Sequence, residues 1–131
     1  MDISFGNKKI KERTSELINK NLLQNEPKIS INLDKYHTIV MFDPDAPNGM
    51  DEENNTTYLH LLWANNIEEV WMPYTPPNPP RGIHRYVFYL FEHSAKIQPY
   101  KKFVRQPFNI NEFMKYYSFT PVDAQTFLVE A

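Results

Sequence analysis

Apolar residues along this chain fall mostly in runs of strand length. In residues 84–91 β-branched and aromatic side chains dominate, as in a buried strand. Alternation puts His84, Tyr86, Phe88 and Leu90 on one face and Arg85, Val87, Tyr89 and Phe91 on the other. Residues 36–42, YHTIVMF, carry few polar positions and predict a strand covered on both faces. Residues 58–64, YLHLLWA, predict a third apolar strand, with His60 near its start. Residues 28–33 and 124–129 alternate and predict strands at either end of this set. Ile3 to Phe5 predicts a short strand, followed by a turn at Gly6-Asn7 and room for a second one. Residues 11–23 are undecided: Leu17, Ile18 and Leu22 share a helix face, but Thr, Ser and Asn dilute it. Asn109 to Glu112 resembles a capping box and predicts a short helix over 113–117.

Turn formers punctuate these runs. PPNPP (residues 76–80) fixes φ and removes backbone donors, so it is neither helix nor central strand, and Gly82 then restores backbone freedom. DPDAPNG (43–49) is a turn carrying two carboxylates at the end of the strand over 36–42. Residues 50–57 are polar and read as a solvated loop. A short acidic link precedes Val70-Trp71-Met72, and Lys96, Lys101, Lys102 and Arg105 read as a solvated basic face. Seven of the eleven prolines lie between Pro44 and Pro80, which stiffens the middle of the chain where a rigid ligand site needs it.

Composition narrows the classes. The 131 residues predict one domain with a real core, 41% hydrophobic and 15% aromatic. There is no repeat, low-complexity segment or internal boundary. No stretch approaches the roughly 20 apolar residues of a membrane span, and the first residues lack the apolar region of a signal peptide. The absence of cysteine excludes a disulfide framework and points to a cytoplasmic protein. A net charge of −2 argues against nucleic acid as a bulk electrostatic partner.

The candidate chemistry lies at the strand ends. Asp43 and Asp45, His60, and His84 with Tyr86 each stand near one end of an apolar strand, beside proline-constrained loops. If the strands are neighbours, two imidazoles and two carboxylates surround one concavity. A cationic imidazole favours an oxyanion; a neighbouring carboxylate raises its pKa and burial lowers it, and in an open pocket the carboxylate is expected to prevail. Two carboxylates repel phosphate unless one pairs elsewhere, with Arg85 as the candidate partner. Two His and one or two Asp could also ligate a metal, but no HxH or HExxH spacing supports it, so no metal or other cofactor is expected. There is no cysteine or GxSxG elbow for nucleophilic catalysis.

DPDAP, then YLH opening an apolar strand, then a proline-rich turn and GIHRYVFYLF, resembles the phosphatidylethanolamine-binding protein family, which includes Raf kinase inhibitor proteins and the plant florigen group. NLDKYHTIVMF upstream, and RQPFNINEFMKYYSF and PVDAQTFLVE downstream, extend the resemblance over roughly residues 29–130. It implies an all-β core, a large central sheet packed with a smaller one, and short peripheral helices. It also implies an anion pocket at the end of the sheet for a phosphate or phosphoryl-ethanolamine head group, and a cis Ala46–Pro47 bond. By motif, Asp43 matches the pocket aspartate and Asp45 its partner. His60 and His84 match the two histidines, Tyr86 matches the pocket tyrosine, and Tyr58 falls where plant members vary between Tyr and His. A non-proline cis bond of the family would fall at Thr56–Thr57.

The candidate ligand-binding residues are thus Asp43, Asp45, Tyr58, His60, Gly82, His84 and Tyr86. Against the family, the chain reads as shortened at the N-terminus, trimmed over 67–74, and without the C-terminal helix of animal members, which predicts a more open pocket. The expected function is non-enzymatic binding of a phosphate-bearing small molecule or phospholipid head group. The alternative is an adaptor or kinase-pathway regulator whose surface meets a kinase or phosphoprotein. A hydrolase using the Asp/His cluster stands third.

Overall fold

The apolar runs over 36–42, 58–64 and 84–91 all form strands of one sheet. The computed structural model describes residues 1–32 and 34–131. In chain order these form β1 (Asp2–Phe5), β2 (Lys8–Lys9), β3 (Glu16–Leu17), a 3₁₀ turn (Lys20–Leu23), β4 (Lys28–Ser30), β5 (Tyr36–Asp43), β6 (Tyr58–Ala64), β7 (Glu69–Met72), β8 (Ile83–His93), α1 (Ile110–Tyr117) and β9 (Asp123–Glu130). Strand β4 ends at Ser30, short of the predicted boundary; Leu33, the last residue of that expected strand, lies outside the described residues. Residues 11–23 form no long helix: they supply β3 and the 3₁₀ turn.

Among the described residues the strands make a three-stranded sheet, β2-β1-β4, and a six-stranded sheet, β3-β9-β8-β5-β6-β7. The expected all-β architecture of a large and a small sheet is what the chain adopts. Strand β5 pairs antiparallel with β8 on one side and β6 on the other. Because both neighbours run against it, its C-terminal end lies beside the first residues of each, and that places the polar ends of three strands together.

Strand β5 is apolar throughout because both of its faces are covered. Ile39 and Met41 join Tyr86, Phe88, Phe127, Ile3 and Phe5 in a core layer between the two sheets. Val40 and Phe42 join Phe91, Phe103, Phe108 and Phe113 on the opposite face, under α1. The predicted alternation of β8 holds, with Tyr86, Phe88 and Leu90 in the first layer and Phe91 in the second. Helix α1 is capped by the Asn109 side chain, which accepts from Glu112 N at 3.0 Å. The other half of the box is absent, since the Glu112 carboxylate takes the Tyr100 hydroxyl and the Lys101 ammonium.

Candidate functional site

A cavity of about 360 Å³ opens at the end of the large sheet, lined by Asp43, Tyr58, His60, His84, Tyr86 and Gln106, with Ala46, Pro47, Thr75, Pro76, Asn78, Pro79 and Pro80 as its walls. Five of the seven residues singled out in the sequence line it. Asp45 and Gly82 do not.

His60 reaches this cavity through a break in the β5–β6 ladder. Met41 pairs with Leu61, but Phe42 pairs with Leu59, so His60 is the extra residue of a β-bulge. Plain alternation would put His60 on the face of Leu62, under α1. The bulge instead sends Leu59 and Leu62 to that layer and turns His60 toward Tyr86, ring centroids 5.2 Å apart. Bulges re-aim side chains in this way beside binding sites. Tyr58 packs on the other side of His60 at 4.7 Å, and His84 stacks on Tyr86 at 6.3 Å.

The loops are fixed by two close approaches. Gly49 and Gly82 meet back to back: a Cβ on Gly82 would lie 3.1 Å from Asn48 O and 3.2 Å from Gly49 Cα, and Gly82 has φ +72°. Its role is to let the DPDAPNG turn pack against the PPNPPRG turn. Thr75 N donates to His60 O at 2.9 Å, and His60 Nδ1 bonds back to Thr75 O at 2.6 Å, which pins the proline-rich segment to β6. Gln106 Nε2 donates to Thr56 O at 3.3 Å and Thr56 Oγ1 at 2.7 Å, so the segment before α1 closes the rim. Ala46–Pro47 is cis as expected; Gln106–Pro107 is cis as well, and Thr56–Thr57 is not.

Charge at the floor of the cavity is already paired. Asp43 is buried; its Oδ1 accepts from Asp45 N at 2.7 Å and its Oδ2 from His84 Nδ1 at 2.7 Å. His84 Nε2 faces Arg81 O at 2.9 Å, so both ring nitrogens look onto oxygen acceptors. Burial raises the Asp43 carboxyl above its usual range, against the opposing pull of His84. Burial, and then the Asp43 charge, also push the Tyr86 hydroxyl upward. Asp45 is buried but turned away, held bidentately by Arg85 at 2.7 and 2.9 Å.

His60 overturns the expectation of a cationic imidazole. Burial, with Arg105 and His84 nearby, pushes it down to about 4. At neutral pH its Nδ1 carries the proton given to Thr75 O, and Nε2 is a bare lone pair with no protein partner among the described residues. The cause is first burial, which outweighs the hydrogen bond to Thr75 O.

The sequence alone does not mark Thr75, Asn78 and Gln106 as cavity residues. PPNPP signalled a stiff loop but not which side faces the site, and Gln106 carries no periodic signal. Among the described residues, no group of three His, Cys, Asp or Glu is placed to hold a metal ion, and no helix is long and apolar enough to cross a membrane.

No family model matches the chain. Protein TWIN SISTER of FT from Arabidopsis thaliana is 30% identical over 142 aligned residues, covering 97% of this chain and 77% of that protein. Among solved structures, the carboxypeptidase Y inhibitor in complex with its cognate proteinase superposes with a TM-score of 0.81 at 18% identity, over 99% of this chain and 82% of that one. The phosphatidylethanolamine-binding protein from Plasmodium vivax superposes at 0.74 and 17% identity, over 98% and 83%. The two structural likenesses concern the fold; the plant relative and the motif order carry descent. The chain belongs to the phosphatidylethanolamine-binding protein family.

Proposed function

We propose that this protein is a binding module for a phosphate-bearing small molecule, held at Asp43, Tyr58, His60, His84 and Tyr86. The observation that carries the reading is the cavity itself. It has a charge-paired floor, proline walls and a row of aromatic hydrogen-bonding rings, which is how a largely preformed ligand site is built. Tyr58 and Tyr86 supply hydroxyl donors to phosphoryl oxygens. His84 acts indirectly, holding Asp43 and the Arg81 carbonyl in place. Asp45 and Gly82 shape the loops and are not ligand contacts.

A hydrolase reading has less support: His84 has no free nitrogen to take a proton, and no Ser or Cys lines the cavity. The adaptor reading, in which the protein is a regulator acting through its surface, draws support from the fold neighbour that is complexed with a proteinase. Calorimetry with phosphoryl-ethanolamine and with a phosphoserine peptide separates the two. Binding of the small molecule, lost on filling the cavity with Ala46→Phe, supports the pocket. Binding of the peptide alone, unchanged in that variant, supports the surface.

A further inference from the structure

We infer that Arg105 is a positioning residue of the candidate site: its guanidinium holds the β-bulge that turns His60 into the cavity. This deepens the pocket reading above, and rests on it only for the use a ligand makes of the ring.

Arg105 departs from the basic segment it belongs to. Lys96, Lys101 and Lys102 are exposed, as expected of a solvated face, whereas Arg105 is half-buried. Its Nη1 donates to Leu59 O and to His60 O, each at 3.1 Å. Its backbone carbonyl accepts from Leu59 N at 2.7 Å. Leu59 and His60 are the residues at which β6 leaves its regular pairing with β5.

The segment on the other side of β6 offers few donors here. Strand β7 ends at Met72, and the chain that follows is rich in proline. Thr75 N donates to His60 O at 2.9 Å, while Pro76 and Pro77 have no N–H to give. A bulge takes backbone groups off the ladder, and a carbonyl left unpaired costs free energy. Arg105 supplies a donor to Leu59 O and a second one to His60 O. Without it the bulged register loses its advantage over plain alternation, in which His60 points to the layer under α1 and away from Tyr86.

The same side chain adds to the neutrality of the ring. Around His60 stand Tyr58 from β6, Tyr86 and His84 from β8, Asp43 from β5, and Arg105. Burial is the first cause of its low pKa, and the charges of Arg105 and His84 oppose protonation further. Arg105 stays charged at neutral pH. The place of the ring and its lack of charge therefore depend on one guanidinium.

The test is NMR of the imidazoles in the wild type, Arg105→Met and Arg105→Lys. It needs no ligand, so its failure is distinguishable from failure of the pocket reading. In the wild type His60 should show the Nδ1–H tautomer, ring contacts with Tyr86 and a titration midpoint near about 4. Met keeps an apolar stem but neither donor nor charge. It should abolish the contacts with Tyr86 and raise the midpoint toward 6.5, while His84 keeps its signal from the pair with Asp43. Lys keeps the charge and donors for both carbonyls, and should retain the wild-type pattern. A merely structural Arg105 would lower the melting temperature and leave the His60 tautomer, contacts and midpoint as they are in folded Arg105→Met; that result overturns the inference. A folded Arg105→Lys that loses the His60 pattern overturns it as well, and decides the matter alone if Arg105→Met does not fold.

Discussion

Arg85 on β8 closes a bidentate ion pair on Asp45, in the turn after β5, with N–O distances of 2.7 and 2.9 Å, and its backbone N–H adds a third bond to the same carboxylate at 2.8 Å. This turns one of two adjacent carboxylates away from the cavity, so that Asp43 alone faces it.

Truncating Arg85 to Ala strips the buried Asp45 of its counter-charge but keeps the backbone bond. The Arg85 side chain is 45% exposed, so screening discounts the pair. The expected loss is about 1–2 kcal/mol in urea unfolding. Arg85→Lys should recover less than half, because an ammonium cannot bridge both oxygens. Full recovery by Lys would mean that simple charge, and not the fork, holds the turn.

How far the sequence reached follows from what each element depends on. Strands β5, β6 and β8 are long and buried, so hydrophobic pattern alone marks them. The residue pattern marks neither β3 nor β7 as a strand. β3 spans two residues, with Leu17 55% exposed, and pairs parallel to β9; β7 carries Val70 59% exposed on an edge. Both are fixed by backbone pairing, and local composition holds no trace of it. The same divide runs through the site. Asp43 and His84 could be placed by alternation and strand order. The turn of His60 toward Tyr86 could not, because it depends on a bulge in the ladder with β5. Its neutral state followed from burial that no spacing reveals.

Gly82 offers a test of the loop contact. Ala at this position meets backbone on the DPDAPNG side, at 3.1 Å from Asn48 O, and must hold φ near +72°. Both effects oppose the native arrangement, and the expected loss is about 2 kcal/mol. Thermal denaturation measures it. If the glycine instead served only as a ligand contact, Gly82→Ala would leave the melting temperature unchanged.

His84→Ala removes the partner of a buried carboxylate. Such a truncation costs about 3–5 kcal/mol because the remaining charge is left unpaired. The double variant Asp43→Ala/His84→Ala should be less destabilised than the sum of the singles, since neither charge remains. Chemical denaturation of the four proteins of this cycle gives the coupling directly. Additive losses would show that the 2.7 Å contact between them contributes nothing specific.

The pH dependence of stability follows from His60, and its sign can be worked out. In the unfolded chain the imidazole takes a proton near 6.5, while in the fold it resists until about 4. Between these values the unfolded state binds more protons, so stability falls as pH drops from 6.5 toward 4. The full swing is on the order of 3 kcal/mol. Asp43 works in the opposite direction at the acid end. Burial lifts its carboxyl above 3.8, so the folded state takes that proton first and recovers some stability as pH falls. The net curve should therefore descend through the upper part of the window and flatten below it. His60→Gln has no proton to gain and should lose most of the descent, measured as the difference in unfolding free energy between pH 7 and pH 5. A variant that retained the wild-type slope would place the responsible proton elsewhere than on this ring.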